Sequence, residues 1–92
     1  MIRILIADDQ ALVRGALVAL LRLESDLEVV AEVGTGADAV TAARTTAPDV
    51  ALLDVQMPGM DGFTAAAELQ TVCPDCRVIV CTTFGRPGYL TR

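Results

Sequence analysis

Val50-Ala51-Leu52-Leu53-Asp54-Val55 is apolar at every position but one. A run this short and this apolar reads as a strand buried on both faces, and its single carboxylate falls near the C-terminal end. The start of the chain has the same form, because the mainly apolar run Ile2 to Ala7 stops abruptly at Asp8-Asp9. Two buried strands that each end in acid predict a parallel sheet with carboxylates gathered along one edge.

Working outward from these two runs, the chain alternates strand and helix. Ile2 to Ala7 is β1. Ala11 to Leu23 has helical period, with Arg14 and Arg22 on one face and Val13, Leu17, Leu20 and Leu21 on the other, and is α1. Leu27 to Val33 alternates, Leu27, Val29, Ala31 and Val33 against Glu28 and Glu32, which predicts a partly exposed edge strand, β2. Ala37 to Ala47 follows a Gly34-Thr35-Gly36 turn and stops before Pro48, whose ring disfavours helix in the residue ahead of it. This is α2, with Val40, Ala43 and Ala47 facing inward. After β3, Val50 to Val55, comes the loop Met57-Pro58-Gly59-Met60-Asp61-Gly62, in which Asp61 is placed to cap α3, Phe63 to Val72. Met57 and Met60 are expected to pack in that loop. Pro74-Asp75 turns the chain into β4, Arg77 to Cys81, with Thr82 and Thr83 at its end. Gly85-Arg86-Pro87-Gly88 breaks the pattern, and Tyr89 to Arg92 begins a fourth helix. Such alternation predicts an α/β domain with right-handed βαβ crossovers.

At 92 residues the chain is one domain at most. Its 53% apolar content includes only three aromatic residues, so the core must be built from Ala, Val, Leu and Ile. With a net charge of −5 and seven Lys and Arg scattered along the chain, no basic stripe is available to neutralise phosphates. Direct nucleic-acid contact by this segment is therefore not expected. No apolar run reaches the ~18–20 residues of a membrane span and no signal core opens the chain, so a cytoplasmic location is expected. Cys73, Cys76 and Cys81 are an odd number of thiols, which disfavours a disulfide framework. Cys73-Pro74-Asp75-Cys76 has redox-motif spacing, but it ends a helix instead of opening one, and neither a second pair nor a His accompanies it.

In open parallel sheets ligands lie beyond the C-terminal strand ends where the strand order reverses. Asp8, Asp9, Asp54 and Thr82 all fall at such ends. Three carboxylates at one edge repel one another unless a cation sits among them. Mg²⁺ suits the donors, since it binds through one or two carboxylates, keeps several waters and takes oxygens from a phosphate. A carboxylate beside it can attack phosphorus to give an aspartyl phosphate, and Thr82 can offer a hydroxyl to a phosphate oxygen. Adjacent strand residues point to opposite faces, so Asp8 and Asp9 serve together only if the chain is leaving β1 there.

Two stretches carry a resemblance. Ile4-Leu5-Ile6-Ala7-Asp8-Asp9-Gln10 resembles the acidic-pair motif of the receiver domains of two-component response regulators. Asp54-Val55-Gln56-Met57-Pro58-Gly59-Met60-Asp61-Gly62 resembles their phosphoacceptor segment nearly position for position. The resemblance implies a flavodoxin-like fold with a parallel sheet of order 2-1-3-4. It implies Asp54 as phosphoacceptor, Asp9 as a direct Mg²⁺ ligand, Asp8 as a ligand largely through water, the Gln56 backbone carbonyl as a further ligand and Thr82 as the switch hydroxyl. A sensor histidine kinase is the implied phosphoryl donor and transcriptional control the implied output. Cys81 to Leu90 further resembles regulators of the NarL/FixJ type, whose whole chains carry a DNA-binding domain. Against that family, residues 1–92 read as a partial receiver that stops before the fifth strand, its Lys and the last helices. A receiver so shortened is expected to self-associate through an exposed β4 edge.

Two other functions stay open on the residues alone. One is an interaction fragment with an intact acidic pocket and no phosphorylation. The other is a phosphohydrolase resembling the haloacid dehalogenases, which requires a second Asp where this chain has Gln56. A dinucleotide-binding fold is disfavoured because no Gly-rich turn follows β1.

Overall fold

The computed structural model describes residues 1–81. Four strands, β1 (Ile2–Ala7), β2 (Leu27–Val33), β3 (Val50–Asp54) and β4 (Arg77–Cys81), alternate with three helices, α1 (Ala11–Arg22), α2 (Gly36–Thr46) and α3 (Gly62–Val72). All strand pairs are parallel and the order is β2-β1-β3-β4, as expected for the family that the sequence resembles. The break in pattern at Gly85 to Gly88 and the helix start at Tyr89 lie outside the described residues.

Apolar side chains fill both faces of the sheet. On one, Leu5, Ala7, Ala51 and Leu53 pack with Ala39, Val40 and Ala43 of α2 and with Ala65 and Leu69 of α3. On the other, Ile4 and Ile6 meet Val18 of α1, flanked by Leu17, Leu21, Val50 and Leu52. Met57 is buried in the first of these clusters and Met60 packs against it, so both methionines do pack in the loop. Burying one side chain the size of Leu53 contributes about 2 kcal/mol, so strand centres and helix faces hold the sheet jointly.

Three expectations about facing need correction. Helical period puts Leu20 on the inward face of α1, yet it is 62% exposed. It stands two residues, and so about 200°, around the helix from the buried Val18. Ala47 is expected to face inward on α2, but it is exposed and takes the left-handed conformation (φ 47°, ψ 63°) that ends the helix ahead of Pro48. The sequence of β2 reads as one uninterrupted alternation. Instead its register slips beside Ile4 and Leu5, which pair with Val29 and Ala31 and leave Val30 as the extra residue of a bulge. Leu27 and Val29 therefore face α1, whereas Ala31 and Val33 face the α2 and α3 side. One inserted residue exchanges the faces of everything beyond it.

The helix ends are tied by local chemistry. Thr35 Oγ1 accepts the Asp38 N–H at the start of α2 (3.1 Å), and Asp61 Oδ1 accepts the Thr64 N–H at the start of α3 (2.8 Å), the cap expected there from the sequence. At the opposite edge of the sheet the Arg3 guanidinium donates to the carbonyls of Thr46 and Ala47, joining the end of α2 to the start of β1.

A candidate phosphoryl and metal pocket at the sheet's switch point

β1 and β3 are adjacent, yet the chain leaves β1 toward β2 on one side and later returns to β3 on the other, so the strand order reverses between them. Ala7 pairs with Val33 on one side and with Leu53 on the other, which brings the ends of the three strands level. The next residues out are Asp8 beside β1 and Asp54 closing β3.

β1 ends at Ala7, so the two following acids are no longer held to alternate faces. Asp8 donates its N–H to the Val33 carbonyl (3.0 Å) and accepts the Gln10 N–H at Oδ1 (2.8 Å). Its carbonyl accepts Nη1 of Arg14 at 2.6 Å. Asp8 is buried and Asp9 is exposed, although they are neighbours. Asp54 is 2% exposed, paired in register with Cys81. One carboxylate oxygen from each of Asp8, Asp9 and Asp54 lies within 4.8 Å of the others, the one such cluster of three metal-binding side chains among the described residues.

Three anionic groups so close do not coexist cheaply. At ~5 Å and an effective dielectric near 20, each pair of like charges costs on the order of 3 kcal/mol. A cation among them reverses the sign of that energy, and an all-oxygen donor set with two buried members suits a hard divalent ion better than a soft one. Gln56, the remaining expected ligand, is exposed in the loop just after Asp54 and Val55. Thr82 lies outside the described residues.

The loop after β3 is fixed by contacts that sequence reading did not find. Gly62 donates its N–H to the Val55 carbonyl at 2.7 Å, and a Cβ at Gly62 would run into the Asp54 carbonyl oxygen and come within 3.0 Å of Val55 Cα. Glycine is required there by close approach of backbone to backbone. Gly59 has φ 79°, the left-handed region open to glycine, and Met60 N–H donates to the Pro58 carbonyl across it (2.9 Å). Cys81 is a further neighbour of the pocket that its sequence position did not reveal. Its Sγ donates to the Leu53 carbonyl (3.6 Å); Cys81 as a whole is exposed, yet partial desolvation of its thiol, then the charges of Asp54 and Asp8, push the thiol up from the ordinary value.

Residues 4–92 match the response regulator receiver domain. The chain belongs to that family. Over 92 residues this receiver is 49% identical to the transcriptional regulatory protein DesR of Bacillus subtilis, covering all of the present chain and 45% of DesR. It is 38% identical over 90 residues to the chemotaxis protein CheY of Listeria monocytogenes, covering 98% of the present chain and 75% of that protein. The crystal structure of a DNA-binding response regulator of the LuxR family from Staphylococcus aureus superposes with a TM-score of 0.84 at 38% identity, over 99% of this receiver and 76% of that chain. Transcriptional regulators of the NarL/LuxR type are thus among its relatives, as the segment after β4 implied. The receiver spans about half the length of DesR. Among the described residues no helix is long and apolar enough to cross a membrane.

Proposed function

We propose that this receiver takes a phosphoryl group from a sensor histidine kinase onto Asp54, and that Mg²⁺ assists at a site formed by Asp8, Asp9, Asp54 and the Gln56 carbonyl. The observation that carries the reading is the convergence of three carboxylates within 4.8 Å at the strand-order switch, with Asp8 and Asp54 buried. Mg²⁺, when bound, supplies positive charge that offsets both the acids and the transferring phosphoryl oxygens. The protein's own part is position. An Asp54 carboxylate oxygen forms the new bond to phosphorus as the bond from phosphorus to the donor nitrogen breaks, and the imidazole leaves with that electron pair. Thr82, which follows β4 in sequence, is the proposed hydroxyl partner of the phosphate.

In the whole protein this modification would control transcription in the cytoplasm, a reading supported by relatives that are transcriptional regulators. Membership of the receiver family displaces the dehalogenase-type alternative. Self-association through β4 belongs to the same proposal. Among the described residues β4 pairs with β3 alone, Ile79 is 50% exposed, and a strand edge of this kind is a template for another chain. Sedimentation at micromolar concentration should show a dimer or larger species, and a monomer would end that part of the reading.

The experiment for the central part is intact-mass measurement after incubation with acetyl phosphate. A gain of one phosphoryl group is expected with Mg²⁺ and not with excess chelator. No gain in either condition would favour an interaction module with an inert pocket.

A further inference from the structure

Both expected side-chain ligands on the β1 side lie in the three residues between Ala7, the last of β1, and Ala11, the first of α1. Asp8, Asp9 and Gln10 belong to neither a strand nor a helix, so something local must fix their shape. Two of the ties on Asp8 are made by backbone donors, its own N–H to Val33 and the Gln10 N–H to Oδ1. Another depends on a side chain. Arg14 sits one turn into α1, its N–H donating to the Gln10 carbonyl (2.9 Å), and from there its side chain reaches back over the helix start, the direction helical side chains favour. Its Nη1 donates to the Asp8 carbonyl at 2.6 Å, a hydrogen bond from a charged donor.

The guanidinium occupies a slot between the β1–α1 loop and the β2–α2 turn. Gly34 forms the wall of that slot. A Cβ at Gly34 would stand 3.3 Å from Arg14 Nη1 and 3.9 Å from the Asp8 carbonyl oxygen, so the glycine leaves the room that the guanidinium takes. Gly34 does not have positive φ, and alanine is therefore allowed by its backbone.

We propose that Arg14 is a positioning residue of the acidic pocket: by holding the Asp8 peptide from the α1 side, its guanidinium sets the loop shape that carries Asp8 and Asp9 to Asp54. The proposal rests on the metal reading above. It separates two ways in which an arginine can help such a pocket. If only its charge mattered, any arrangement that kept the cation nearby would serve, whereas holding the peptide requires the hydrogen bond.

The test uses the whole chain as wild type, R14M, R14K and G34A, with two readouts. Mg²⁺ dissociation constants come from calorimetry, and exchange of the Gln10 amide is followed without metal, with circular dichroism confirming that each variant is folded. R14M should raise the Mg²⁺ dissociation constant about tenfold, the lower end of what loss of an outer-shell partner costs, and should speed Gln10 exchange. R14K retains a cation and a donor and should recover most of both losses. G34A keeps the arginine but crowds Nη1, and should shift both readouts in the direction of R14M. Wild-type values for R14M, or an R14M variant that weakens Mg²⁺ binding while Gln10 exchange stays at the wild-type rate, would overturn positioning by Arg14. Absence of Mg²⁺ binding by the wild type would instead overturn the metal reading, and Gln10 exchange would still decide whether Arg14 holds the loop.

Discussion

Asp8 and Asp9 are neighbours in sequence but not in environment. The first is buried with Oδ1 engaged by the Gln10 N–H, and the second is exposed. In the proposed site Asp9 binds the metal directly and Asp8 largely through water. Asp9→Ala should therefore weaken Mg²⁺ binding more than Asp8→Ala does. Titration of both variants checks this, and equal losses or the reverse order would contradict the assigned roles. Gly62 offers a steric counterpart. Since a Cβ there meets the Asp54 carbonyl, Gly62→Ala should lower stability by about 1–3 kcal/mol in urea unfolding, the usual range for an overpacked site. A loss below about 0.5 kcal/mol, typical of open surface positions, would mean that the loop yields. Asp54 was legible in the sequence because a carboxylate closing so apolar a strand calls for a purpose. Gly62, Gly34 and Arg14 were not. Their importance lies in contacts outside their own elements, Gly62 with the Asp54 carbonyl, Arg14 with the Asp8 carbonyl and Gly34 with Arg14, and no spacing rule encodes those.

At the scale of elements, strand and helix positions were legible from period and punctuation, with boundaries moved by a residue at several helix ends. Caps explain the shifts. Thr35 and Asp61 hold the first turns, so α2 and α3 begin at Gly36 and Gly62, one residue earlier than hydrophobic period alone marks them. β2 was the element whose facing could not be read, because a bulge leaves composition unchanged while exchanging faces. The Asp61 cap also gives a pH signature. The Thr64 backbone N–H holds the Asp61 carboxyl below its ordinary 3.8, so the folded state favours the charged form. Its contribution to α3 is thus complete above that ordinary value and is lost as pH falls through the lower, folded one. Asp61→Asn keeps a good cap and removes the titration, so the acid limb of its unfolding curve should be shallower than that of the wild type. Superimposable acid limbs would show that the cap contributes nothing that titrates.

At the scale of the molecule, a parallel sheet, four-stranded among the described residues, with α1 on one side and α2 and α3 on the other brings residues 8, 9 and 54 together from separate parts of the chain. That convergence was expected once β1 and β3 were read as buried parallel strands, since the switch point results from their adjacency. The segment after Cys81 lies outside the described residues, and with it the expected role of Thr82. The central claim is that this architecture serves to make Asp54 a phosphoacceptor. The most direct measurement is intact mass of wild type and Asp54→Asn after parallel treatment with acetyl phosphate and Mg²⁺. The wild type should gain one phosphoryl group and Asp54→Asn none. An equal gain by Asp54→Asn would place the nucleophile elsewhere and contradict the assignment.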